Sequence, residues 1–253
     1  MIIKTPGRIH TKGASSMQLD LLRREITIKL VYYGPPFSGK TTNLQALESL
    51  VAPEIRGPLL SVDTKDDRTI LFDLLPVQIE AGRGVQIRLK LYTVPGQVIH
   101  RATRALILQG VDGVAFIADS QRTQLQANRA SFLDLRANLK ERGVDPTSIP
   151  MVIQFNKRDL PNIISDEEID ALALKSPEPI HKAIATQGEG VRETLYTLFE
   201  LTWKKLNMQH QIEERLEIEQ NQVLSSIAKI LGPFKGEPPK GGLGHASSRA
   251  SGQ

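Results

Sequence analysis

Apolar residues along this chain gather into short runs that alternate with longer stretches of helical spacing. Ile26–Tyr33, Val114–Ala118, Met151–Phe155 and Ile180–Ala185 are brief and nearly continuous, the pattern of strands buried on both faces. The segments from Lys40 to about Leu50, Leu125–Arg142, Ser165–Leu174 and Val191–Met208 read as helices, the first closing before Ala52-Pro53. Ile70–Val77 and Val85–Tyr92 face each other across Ala81-Gly82-Arg83-Gly84 and predict an antiparallel hairpin. Ile55–Thr69, rich in glycine, proline and charge, reads as a long loop, and a long loop inside a compact domain is usually functional. Strand and helix taking turns at this pitch predicts an α/β fold. Its sheet is mainly parallel with one antiparallel edge strand, helices cover both faces, and ligands bind at the C-terminal ends of the strands.

The two ends of the chain lack this alternation. Residues 1–23 read as a flexible basic extension and residues 24–208 as the single domain. Gln209–Leu231 carries Ile212, Leu216, Val223, Ile227 and Ile230 on one stripe, interrupted by Gln220, and predicts one amphipathic helix that covers its own domain or meets a partner helix. Residues 232–253, rich in Gly, Pro, Ser and Lys, read as a disordered tail.

Composition narrows the chemistry. The net charge is +4, and residues 1–29 alone hold Lys4, Arg8, Lys12, Arg23, Arg24 and Lys29 against Asp20 and Glu25, so the excess sits in that segment. It is either a solvated tail or a weak anionic-surface arm. Cysteine is absent, which excludes disulfides, thiolate metal sites, thiol nucleophiles and prenylation. The histidines at 10, 100, 181, 210 and 245 have no metal-ligand spacing. No basic patch with interleaved aromatics stands out, so nucleic acid is not an expected partner. No apolar run reaches membrane-spanning length and the N-terminus lacks a signal-peptide core, which predicts a soluble, cytoplasmic protein.

The sharpest local pattern is Gly34-Pro35-Pro36-Phe37-Ser38-Gly39-Lys40-Thr41, set between a predicted strand and a predicted helix. A strand that turns through glycine into a helix leaves several N–H groups aimed into one concavity, which suits polyphosphate. Gly34, Ser38, Gly39, Lys40, Thr41 and Thr42 are the candidate phosphate-binding residues. Lys40 would reach the β- and γ-phosphates, the Thr41 hydroxyl would ligate Mg²⁺, and Thr42 starts the helix.

Two later motifs fall at strand ends. Asn156-Lys157-Arg158-Asp159 follows Met151–Phe155. A carboxylate at Asp159 can accept both hydrogen bonds of the guanine N1–H and N2–H₂ edge, whereas adenine would leave it unpaired, so GTP and GDP are the expected nucleotides. Asn156 would tie the loops together, the Lys157 stem would cover the base, and the Ala185 N–H would meet the guanine carbonyl. Thr93-Val94-Pro95-Gly96-Gln97 ends Val85–Tyr92, where the Gly96 N–H can reach the γ-phosphate and Gln97 can orient the attacking water.

Seven stretches together resemble the MglA family, bacterial Ras-like GTPases of gliding motility and cell polarity. They are Val31–Gly34, Gly39–Gln45, Asp67–Thr69, Leu91–Gln97, Gly110–Val114, Ala118–Gln121 and Asn156–Asn162, within a similarity that runs from about Arg24 to Lys205. The resemblance implies a Ras-like P-loop GTPase fold with GTP/GDP and Mg²⁺ as ligands. It makes Arg68 an intrinsic arginine finger, an element typically worth roughly 10³ to 10⁵ in rate, and Thr69 the switch threonine that senses γ-phosphate and magnesium. Ordinary Ras-like proteins have an aspartate where this chain has Thr93, and the resemblance assigns Asp73, on a strand that shifts in the active state, as its replacement near the metal. It also implies a roadblock-type MglB GTPase-activating partner, a polarity or motility effector, and recruitment to cell poles or membrane complexes by partners rather than by an anchor.

Pro36 stands where that family has glycine. It removes one N–H donor and fixes φ, so slow hydrolysis is expected. Two readings follow: a nucleotide-dependent switch that hydrolyses GTP, and a GTP-holding scaffold with negligible hydrolysis that recruits partners through its extensions. Intact Arg68 and Gln97 favour the first.

Overall fold

The computed structural model describes residues 8–10, 17–62, 72–95 and 101–234. Its first two strands, β1 (Arg8–His10) and β2 (Gln18–Asp20), form an antiparallel ladder, and β2 pairs in turn with β3 (Glu25–Tyr33). Met17 and Leu19 are buried, so part of the span read as a flexible extension is joined to the sheet and contributes to the core. Helix α1 (Lys40–Leu50) follows the glycine turn, with the boundaries its sequence predicts.

The predicted loop Ile55–Thr69 contains a short strand, β4 (Leu60–Val62), antiparallel to β5 (Phe72–Ala81). Three residues flanked by Gly57 and Pro58 carry too little periodicity to be read as a strand, and it is the pairing with β5 that forms one. β5 and β6 (Val85–Thr93) make the predicted hairpin, longer than its apolar pattern by several residues. Gln78 and Glu80 broke the apolar run but are the exposed face of the same strand, while Leu75, Val77, Ile79 and Ala81 point inward.

Beyond the hairpin come α2 (Arg101–Leu108), β7 (Gly113–Asp119), α3 (Leu125–Glu141), β8 (Met151–Asn156), α4 (Asp166–Ala173), β9 (Ile180–Lys182) and α5 (Val191–His210). Helix α2 is an addition to the sequence reading. Helix α4 starts where Ser165 accepts from the Glu168 N–H and Glu168 accepts in return from the Ser165 N–H, a reciprocal cap legible in the sequence. The strand order is β4-β5-β6-β3-β7-β8-β9, with β6, β3, β7, β8 and β9 mutually parallel.

This is the α/β doubly covered architecture the alternation predicts. One apolar layer, with Leu44, Leu47, Leu198, Phe199 and Trp203, lies on the α1/α5 side; the other, with Val31, Tyr33, Leu108, Leu135 and Leu139, lies on the α2/α3 side. All seven residues of β7 are buried, as a central strand between two layers requires. Strand β3 alternates at its start and is wholly buried at its end, because only its second half is covered on both faces.

The predicted helix Gln209–Leu231 is instead two, α6 (Ile212–Leu216) and α7 (Gln220–Leu231). The chain breaks at Gln211 and Glu217, both left-handed, with no glycine or proline to announce it. Tertiary bonds set the break: the Asn207 side chain accepts from the Glu213 N–H at 2.9 Å, and Trp203 Nε1 donates to Glu213 Oε1 at 2.8 Å. Ile212, Leu216, Val223 and Ile227 join the α1/α5-side core, so this segment covers its own domain.

Candidate functional site

At the end of β3 the backbone must pass so close to β7 that a Cβ at Gly34 would lie 2.2 Å from the Ile117 carbonyl oxygen. Only glycine fits there. The loop that follows holds Phe37 exposed at φ 60 and re-enters a helix at Gly39, φ 96, where a Cβ would collide with Asn156 Nδ2. Inside the loop Lys40 is buried, and its Nζ donates to the carbonyls of Gly34 (3.1 Å) and Pro35 (2.7 Å). Burial first, then the neighbouring Arg104, pull the Lys40 pKa down to about 8, with Asp73 acting the other way. Ser38 Oγ is fully buried with no protein partner. A desolvated ammonium beside an orphaned hydroxyl at a helix N-terminus is an arrangement completed by an anion. Thr42 lies half-buried in the first turn of α1.

Strand β5 brings a carboxylate to the same place. Asp73 Oδ2 accepts from Thr41 Oγ1 at 2.6 Å and from Thr93 Oγ1 at 2.9 Å, while Oδ1 accepts from Ser61 Oγ at 2.7 Å. Thr93 Oγ1 also accepts the Asp73 N–H at 2.9 Å, which fixes the strand end beside it. The antiparallel register sets Asp73 next to Thr93 across the hairpin, so the carboxylate sits one strand over from where Ras-like proteins carry it. Among the described residues no cluster of three or more His, Asp or Glu forms a metal cage. A hydroxyl and one carboxylate, with the remaining positions left to phosphate oxygens and water, is the donor set that fits Mg²⁺. Ser61 was missed in the sequence because nothing in a predicted loop announces that β4 will pair with β5.

The base side is built at the end of β8. Asn156 is buried; its Nδ2 donates to the Ser38 carbonyl at 2.9 Å and its Oδ1 accepts the Ala185 N–H at 3.0 Å. One amide thus links the phosphate loop to the loop after β9, and the Ala185 N–H is engaged by Asn156. Lys157, at φ 65, extends to Asp119 Oδ2 at 2.7 Å, and Asp119 Oδ1 accepts the Gln121 N–H. Asp119 is a further residue at this end, signalled in the sequence as a carboxylate ending an apolar run and by its place in the Ala118–Gln121 stretch, though given no role there. Asp159 is exposed. Arg68, Thr69, Gly96 and Gln97 lie outside the described residues.

The residues brought together therefore lie at the ends of β3, β5, β6, β7 and β8. Comparison with known proteins gives the family. The model of the ADP-ribosylation factor family matches residues 15–202. The chain is similar to the "Mutual gliding-motility protein MglA" of Myxococcus xanthus, 49% identical over 183 residues that make up 72% of this chain and 94% of that protein. It is also similar to "ADP-ribosylation factor-like protein 4A" of Homo sapiens, 25% identical over 192 residues, 74% of this chain and 88% of that protein. Among the described residues no helix is long and apolar enough to cross a membrane.

Proposed function

The chain belongs to the ADP-ribosylation factor family and is an MglA-like small GTPase, and from that premise we propose that it hydrolyses GTP as a nucleotide-dependent switch in bacterial cell polarity or gliding motility. The observation that carries the reading is the convergence of buried Lys40, the Thr41–Asp73 pair and the Asn156 link at one end of the sheet.

In this reading the Gly34 and Pro35 carbonyls hold the Lys40 ammonium in place before substrate arrives, so little reorganisation is needed when the phosphates bind. The Ser38 hydroxyl and the loop N–H groups complete the phosphate cradle, less the donor that Pro36 lacks. Thr41 and Asp73 are the protein groups that would hold magnesium. When bound, the ion neutralises charge developing on the phosphates. Thr93 and Ser61 keep the Asp73 carboxylate oriented. Asp159 selects guanine, Lys157 lies along the base and Ala185 faces its carbonyl once its N–H is shared with or released by Asn156. Gln97 orients water, Arg68 spreads transition-state charge, and Thr69 and Gly96 sense the γ-phosphate.

The relative's name supports a role in gliding motility. An MglB-type roadblock protein is the proposed activator, a polarity or motility effector the proposed target, and the cytoplasm, with partner-driven recruitment to poles, the proposed location. Pro36 supports the alternative of a GTP-holding scaffold that hydrolyses negligibly. Single-turnover hydrolysis of GTP by the full-length protein, with and without a roadblock partner and beside Arg68→Ala and Gln97→Leu, separates the two. The switch predicts a measurable rate that falls by roughly 10³ or more in Arg68→Ala; equal rates in all three proteins leave the scaffold.

A further inference from the structure

Arg104 is buried on α2, a helix of eight residues. A guanidinium keeps its charge, so burying one on so short an element is costly unless a partner compensates. Its Nε lies 3.1 Å from Oδ2 of Asp134 on α3. The same carboxylate oxygen accepts the hydroxyl of Tyr33, the last residue of β3. Asn138, one turn further along α3, donates to Tyr33 Oη at 3.4 Å and to the Asp134 carbonyl at 2.8 Å. A phenylalanine would fill the same core position at Tyr33, so the hydroxyl is there for the bond. Burial, and then the bond to Asp134, push the Tyr33 phenol far above its ordinary range, so it remains a donor at any working pH.

A second tie runs the other way. Arg142, at the end of α3, donates from Nε to the Ala105 carbonyl on α2 at 2.6 Å and from Nη1 to the Asn138 carbonyl at 3.1 Å. Helix α2 is therefore tied to α3 twice, at Arg104 and at Ala105. Tyr33 immediately precedes Gly34, whose carbonyl anchors Lys40 and whose own position is locked against Ile117. On the neighbouring strand, the Val94 N–H donates to the Tyr32 carbonyl at 3.2 Å, holding the β6 exit to the same stretch of β3.

We propose that Arg104 is a positioning residue for GTP hydrolysis: through Asp134 Oδ2 it fixes α2 to Tyr33, the residue before Gly34, and so holds the start of the phosphate loop in place. Arg104 touches no reacting atom in this account. It acts by holding the residue that leads into the phosphate loop, and a misplacement of about 1 Å in such a site can cost roughly 10²-fold in rate. The electrostatic influence of Arg104 on Lys40 agrees with its place beside the phosphate loop. The inference rests on the hydrolysis proposed above.

The test measures single-turnover GTP hydrolysis, GDP affinity and thermal midpoint for full-length wild type, Arg104→Met, Asp134→Leu, the double variant, Arg104→Lys and Tyr33→Phe. The account expects hydrolysis to fall about 10- to 100-fold in each of the first two variants. It expects GDP affinity within about threefold of wild type, and a double variant no slower than the worse single one, because both break one link. Arg104→Lys recovers part of the rate, and Tyr33→Phe, which removes only a hydroxyl, slows hydrolysis less while remaining folded. If Arg104→Met does not fold, Tyr33→Phe and Arg104→Lys decide the matter. Unchanged hydrolysis with a lowered midpoint, or hydrolysis and affinity falling in parallel, overturns the positioning role. A wild-type protein that binds GTP without turning it over overturns the hydrolytic reading as well, and that is read from the wild type alone.

Discussion

Where β3 turns into the phosphate loop, a buried hydroxyl has no partner and a buried ammonium is held short of its ordinary pKa. At the opposite end of the sheet, where β5 turns into β6 and α6 into α7, polar groups of the C-terminal segment are bonded to the domain, although Arg24 Nε there is buried without a hydrogen-bond partner. Arg83 pairs with Glu217 at 3.0 Å, an Arg24 Nη2 donates to the Leu216 carbonyl, and Glu219 and Gln222 cap α7 reciprocally. Left-handed residues occur at both ends, Phe37 and Lys157 at the first, Arg24, Arg83, Gln211 and Glu217 at the second. Backbone conformation therefore does not tell the two apart. What marks the phosphate end is a buried ammonium and hydroxyl gathered at a helix N-terminus, where an anion can complete them, and what marks the other is cross-linking of the chain's own extension onto the domain.

The comparison breaks most visibly if Lys40→Met leaves nucleotide affinity intact. Removing a buried, hydrogen-bonded charge from its anion typically costs about 2–5 kcal/mol, so GDP binding by fluorescence titration is expected to weaken by two to three orders of magnitude or so. Ile227→Ala, in α7, is the mirror case. Truncating a buried isoleucine costs about 2–5 kcal/mol of stability, which a urea midpoint detects, with GDP affinity unchanged.

A smaller effect is in protons. The nucleotide-free fold holds Lys40 near pKa 8, below the unfolded value of 10.5. Between those values the unfolded chain keeps a proton that the folded one sheds, so this residue makes stability rise with pH across that window. A bound polyphosphate favours the charged form. Calorimetry near pH 8 in buffers of different ionisation enthalpy is expected to show fractional proton uptake on GDP binding, absent in Lys40→Met, and affinity should decline as pH rises above 8. The smallest change expected is for Arg83→Ala. That ion pair is exposed on both sides, so its loss should cost no more than about 1 kcal/mol and leave binding untouched.

Much of the phosphate end was legible because it rests on local chemistry. Gly34 and Gly39 mark turns, Lys40 starts a helix, and Asn156 to Asp159 follow a strand, each a pattern of a few consecutive residues. Asp73 was placed near the metal by resemblance. Its bonds to Thr41, Thr93 and Ser61 depend on the register of two strand pairs, which no local pattern encodes. The break in the C-terminal helix was invisible for the same reason: its causes are Trp203 and Asn207 on α5, not a glycine at the break. Arg104 lies in a stretch for which the sequence predicted no element, and its partners Asp134 and Tyr33 come from two other elements.

The most direct test of the central claim is calorimetric titration of the full-length protein with GDP and with ADP, each in Mg²⁺ and in chelator, beside Asp73→Ala. The account predicts tight GDP binding that weakens without magnesium, weaker binding of ADP, whose base offers Asp159 no pair of donors, and a magnesium dependence that is blunted in Asp73→Ala. Equal affinity for the two nucleotides, or a magnesium dependence indifferent to Asp73, would contradict it.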